Sequence, residues 1–69
     1  MAASLADKFA SNLKSERLRR RLSQEALAAK ARLSVSYISM LERGQRSPPL
    51  ETLESLAKAL AVSPTHLLA

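Results

Sequence analysis

No cysteine occurs anywhere in this 69-residue chain, and its one histidine, His66, has no second metal ligand within sequence reach. A domain this small buries only roughly 60% of its unfolded surface. With no disulfide or metal to staple it, well-packed helices have to supply the ~3–5 kcal/mol that keeps such a chain folded. The same absence removes thiolate zinc sites and cysteine nucleophiles. A Ser-His-Asp triad needs a pocket deeper than a chain of this size can enclose. The expectation is therefore one non-enzymatic domain over residues 1–69, without metal or cofactor.

Punctuation is sparse and well placed. Gly44 is the lone glycine, and the prolines are Pro48, Pro49 and Pro64. Ala and Leu dominate while Val and Ile are scarce, which favours helix throughout, and nothing alternates like a strand. Ser4 can cap a first helix over about Leu5–Arg20, with Asp7 in its first turn and Leu5, Phe9, Leu13, Leu18 and Leu22 on its apolar side. Ser23 caps a second, about Gln24–Ala31, whose small residues let another helix approach closely. Ser34 caps a third that ends near Arg43, with Ile38 and Leu41 inward and Gly44 just past the end, where a left-handed residue is cheapest for glycine. Pro49 opens a fourth to about Ala61, with Leu50, Leu53, Leu56, Ala57 and Leu60 as its buried stripe. Ser63-Pro64 opens a last short turn through Leu67 and Leu68. Five helices and no strands predict an all-α bundle.

Charge gives the first functional pointer. Net charge is +5 with a pI near 10.5, a level that suggests a nucleic-acid-binding surface. The excess is uneven: eight basic and three acidic groups lie in residues 1–32, but one basic and two acidic in residues 47–69. One end or face is thus cationic, as for phosphate or an anionic membrane. No apolar run approaches a bilayer span, and the N-terminus has no signal-peptide core. A cytoplasmic location is the expectation.

The second and third helices, joined by about three residues at Arg32–Ser34, have the lengths of a helix-turn-helix over about residues 23–43. The residues sharpen this. Leu22-Ser23-Gln24-Glu25-Ala26-Leu27-Ala28, Leu33-Ser34-Val35-Ser36-Tyr37-Ile38-Ser39, Leu41-Glu42-Arg43-Gly44, then Pro48 and Leu50-Glu51-Thr52-Leu53 closely resemble the Cro/CI-like (XRE) family of phage repressors, restriction–modification controllers and bacterial regulators. The likeness runs from about Leu13 to Leu68. It implies a compact five-helix, lambda-repressor-like domain that binds double-stranded DNA sequence-specifically, as a repressor or autoregulator. The DNA-bound form would be a homodimer on a pseudo-palindrome.

By that resemblance the third helix reads bases through Val35, Ser36, Tyr37, Ser39 and Met40. These offer hydroxyls to base edges and apolar contact to a thymine methyl, but no bidentate Arg or Gln. Ser23 and Gln24, at the start of the second helix, present backbone N–H groups to a phosphate. Arg43, Arg46 and Ser47 match positions that touch the DNA backbone. Arg17 and Glu42 match a structural ion pair that ties the first helix to the end of the third. Arg19, Arg20 and Arg21 match no contact position. Arg32 stands where the family often has glycine, at a cost of roughly 1–2 kcal/mol if the backbone there is left-handed. Leu67 and Leu68 are candidate dimer contacts. The chain ends at Ala69, where many relatives continue, so both a whole small protein and the head of a larger one stay open.

Glu51 and Glu54 complement the N-terminal dipole of the fourth helix rather than forming a catalytic pair, and His66 is structural or on the surface. The weak base-reading set keeps a second function class in play: a protein-interaction module, antitoxin-like, with no operator of its own. A membrane-surface amphipathic protein, drawing on Leu5, Phe9 and Leu13, is the third; those side chains are needed for the core.

Overall fold

Where a serine hydroxyl can take up a free backbone N–H, this chain starts a helix. The computed structural model describes residues 4–69, so Met1–Ala3 of the expected domain lie outside the described residues. Its elements are α1 (Leu5–Arg19), α2 (Gln24–Ala31), α3 (Val35–Glu42), α4 (Leu50–Ala59) and a terminal 3-10 helix (Pro64–Leu68). The caps Ser4, Ser23, Ser34 and Ser63 accept from the N–H groups of Asp7, Ala26, Tyr37 and His66. Only α4 starts without a side-chain cap, at Pro49.

Among the described residues the all-α expectation stands, with one correction: four α-helices, not five. The terminal segment bonds from the His66 N–H to the Ser63 carbonyl, three residues back. Five residues behind a proline are too few to nucleate an α-helix, and the tighter turn wins.

Phe9 and Leu13 of α1, Leu27, Ala28 and Ala31 of α2, Ile38 and Leu41 of α3, Leu53, Leu56 and Ala57 of α4, then Leu60 and Leu67, form one buried cluster. The small side chains of α2 let it pack on both α3 and α4, while α1 packs on α3 and on the 3-10 helix. Helix α3 is thus held between α1 and α2. Asn12 on α1 adds a polar clasp, its Nδ2 donating at 3.0 Å to the carbonyls of both Leu67 and Ala69.

Three expected core leucines are not in the core. Leu18 is 55% exposed because it lies about 140° around the helix from Leu13, while Arg17 is only about 40° away and takes the inward place. Leu5 and Leu50 are 60% and 77% exposed, each in the first turn of its helix, ahead of the buried cluster. Leu67 is fully buried and cannot be a dimer contact; only Leu68 keeps partial exposure.

All four helices end alike. A left-handed residue bonds three residues back, and the next bonds five back: Arg21 and Leu22 after α1, Arg32 and Leu33 after α2, Gly44 and Gln45 after α3, Ala61 and Val62 after α4. This is the Schellman end, and Leu22, Leu33 and Val62 fold back onto the core as it requires. Glycine fills the left-handed place once in four. The others, at φ +55 to +59°, carry a Cβ clash.

Candidate nucleic-acid interface

With Ile38 and Leu41 turned inward, the opposite face of α3 meets solvent. Val35 and Ser36 are exposed; Ser39 and Met40 are half-buried. These four line one shallow depression together with Gln24 and Arg43. Eight residues make α3 about 12 Å long, and with its side chains a helix is about 10–12 Å across, which fits the ~12 Å width of the major groove. Tyr37 lies off this depression, half-buried and packed against the core cluster.

Beyond α3 the chain turns at Gly44, whose φ of +73° favours glycine. The turn passes close to α1: a Cβ on Gly44 would stand 3.3 Å from Asp7 Oδ1. Arg43, Arg46 and Ser47 follow in this loop, all exposed, and neither arginine has an acidic partner among the described residues.

The buried pair behind α3 fixes its position. Arg17 Nε donates to Glu42 Oε2 at 2.6 Å and Nη2 to Oε1 at 3.0 Å, the parallel fork of a bidentate pair. Arg17 Nη1 also donates to the Leu22 carbonyl at 2.9 Å, and Gln24 Nε2 to Glu42 Oε1 at 3.1 Å. One carboxylate at the end of α3 therefore gathers α1 and the start of α2. Hydrogen bonding to Glu42 pushes the Arg17 pKa above its ordinary value, against the opposing effect of burial.

At the start of α2, the Ser23 cap satisfies the Ala26 N–H and leaves the N–H groups of Gln24 and Glu25 without a helical acceptor. The Gln24 side chain is engaged by Glu42, so what Gln24 offers an anion there is its backbone.

Sequence reasoning missed Glu16. It is buried, accepts from Arg20 Nη1 at 2.8 Å, and has Arg19 Nε at 3.8 Å and His66 Nε2 at 3.5 Å. Burial pushes its carboxyl up, but the Arg20 hydrogen bond, the Arg19 charge and the His66 hydrogen bond together hold it below its ordinary value. The only available signal was its spacing from Arg19 and Arg20, three and four residues on, which does not distinguish a buried anchor from a surface pair. The cluster joins α1 to the 3-10 helix and lies outside the α3 face. Among the described residues no group of His, Asp and Glu could hold a metal ion, and no helix is long and apolar enough to cross a membrane.

Known proteins share this frame. Residues 13–67 match the helix-turn-helix family HTH_3. The chain is 49% identical over 53 residues to the HTH-type transcriptional regulator y4dJ of Sinorhizobium fredii, covering 74% of this chain and 69% of that protein. It is 47% identical over 47 residues to the control protein C.BamHI of Bacillus amyloliquefaciens, covering 68% and 58% of the two. Among solved structures, the restriction-modification controller protein C.AhdI of Aeromonas hydrophila superposes with a TM-score of 0.87 at 40% identity, over 90% of this chain and 94% of that one. The chain belongs to the XRE-type helix-turn-helix family of DNA-binding transcriptional regulators.

Proposed function

We propose that this protein regulates transcription by docking α3 in the major groove of a pseudo-palindromic operator, two copies per site. The observation that carries this reading is the solvent-facing side of α3. Val35, Ser36, Ser39 and Met40 share one depression with Arg43, and unpaired Arg46 follows in the next loop. In the proposed complex those four side chains meet base edges, with Tyr37 at the rim. Arg43, Arg46 and Ser47 meet one stretch of phosphates, and the backbone N–H groups at Ser23 and Gln24 meet another. Arg17 and Glu42 touch no base; they hold the reading helix at its angle. The regulator acts in the cytoplasm of a bacterium, as a repressor or autoregulator, a role that the control proteins among its relatives support.

One copy offers too few base contacts to single out a site, so two half-sites about 34–36 Å apart are needed. The test is a salt titration of binding by the wild type and by a variant carrying Arg43→Ala and Arg46→Ala. If both arginines touch phosphates, the variant's slope of log affinity against log salt is shallower by about 2 per bound copy. An unchanged slope removes both residues from the DNA and favours a protein partner instead.

A further inference from the structure

The ends of α2 and α4 border one open cleft of about 570 Å³. Lys30, Arg32, Ser55 and Lys58 line it, and Ala31 and Ala59 are the only apolar side chains in its lining. The three cations are exposed, and none is in an ion pair among the described residues. Glu54, one turn before Lys58, does not pair with it, and Glu51 and Glu25 lie nearer the starts of their helices. A cation in the last turn of a helix complements the dipole, which accounts for Lys30 and Lys58 singly. It does not account for three unpaired cations meeting around one cleft.

We infer that this cleft docks an acidic segment of a second protein standing on the same DNA. The inference rests on the operator reading above for the direction in which the cleft faces. That reading gives phosphates the start of α2 and the loop leading into α4. Lys30 lies about 9 Å along α2 from Gln24, and Lys58 about 12 Å along α4 from Leu50. The cleft therefore sits at the far ends of both helices and stays open when the start of each meets the operator. Its charge selects an anion. Its shape selects a segment over a small molecule: small-ligand pockets enclose most of their occupant between apolar and aromatic walls, and this cleft has neither enclosure nor an aromatic ring. Magnitude agrees. Each exposed ion pair strengthens binding by only about 1.4- to 5-fold, so three together give about 3- to 150-fold. That is too little to hold a free small anion, but it favours a partner tethered nearby at a millimolar effective concentration.

The test follows backbone amide shifts while an acetylated peptide of four Glu-Ala repeats is added to the free protein at low salt. The largest shifts are expected at residues 30–32 and 55–59. The variant carrying Lys30→Gln, Arg32→Gly and Lys58→Gln should bind about tenfold more weakly, and the variant carrying Arg43→Ala and Arg46→Ala should bind within twofold of wild type. Arg32→Gly alone separates charge from folding: it relieves the left-handed backbone, so peptide affinity falls about two- to fivefold while the thermal midpoint rises. Shifts centred on Arg43 and Arg46, or unchanged binding by the triple variant, overturn the cleft as a docking site. Inorganic triphosphate that centres on the cleft and binds there more tightly than the peptide overturns the protein segment in favour of a small phosphate anion. These measurements need no operator, so they stand if the operator reading fails. On a selected duplex the peptide shifts at the cleft are expected to persist, and their loss there would overturn its outward placement alone.

Discussion

Replacing Arg32 by glycine is expected to stabilise this protein although it removes a cation and touches no core contact. Arg21, Arg32 and Ala61 hold left-handed backbone at φ +55, +59 and +56°. The Cβ clash costs roughly 1–2 kcal/mol at each, and glycine's extra freedom in the unfolded chain returns about 0.5–1. Each glycine variant gains about 0.5–1 kcal/mol in urea unfolding. A loss at any of them shows that the native arginine or alanine makes a contact worth more than its strain. The opposite sign is expected at Arg17. Arg17→Ala leaves the Glu42 carboxylate buried with the Gln24 amide as its remaining side-chain donor. Losing one partner of such a pair costs about 3–5 kcal/mol, comparable to the whole stability of a domain this size. A drop below about 1 kcal/mol in the same experiment would show the pair to be a solvated contact, with no hold on α3.

At the scale of elements, helix starts were easier to read than helix ends. Ser4, Ser23, Ser34 and Ser63 announce their elements because capping is local chemistry between a hydroxyl and an N–H three residues on. The ends at Arg21, Arg32 and Ala61 carry no glycine; only tertiary packing of Leu22, Leu33 and Val62 makes the left-handed turn worth its strain, and packing is not local. For the same reason Leu5, Leu18 and Leu50 read as core, whereas the inward places on α1 go to Glu16 and Arg17. The partnership of Arg17 with Glu42 was legible through family likeness, while that of Glu16 with Arg20 and His66 was not. The Glu16 cluster gives the link between α1 and the 3-10 helix a pH dependence. Its carboxyl is held below the ordinary value of 4.5, so its contribution is present in full above that value. It fades as pH falls through the lower folded value. In thermal melts the advantage of wild type over Glu16→Gln is expected to stay level from neutral pH to about 5 and to shrink below about 4.5. An advantage that persists unchanged into strong acid would show that Glu16 acts through packing alone.

For the molecule as a whole, charge and shape make the same division. The cations not committed to Glu16 or Glu42 include Arg43 and Arg46, beside the face of α3 that carries the shallow depression. A dimer making about 6–10 phosphate contacts loses about 10³–10⁵ in affinity between 50 and 200 mM salt, a steepness that a protein-only interaction through leucines would lack. Selection of bound duplexes from a random DNA pool, at about 150 mM salt where nonspecific binding is weak, tests the central claim most directly. The account predicts enrichment of an inverted repeat with half-site centres about 10–10.5 base pairs, or one helical turn, apart. A pool that stays random after repeated rounds, although the protein binds DNA at low salt, would contradict sequence reading by α3.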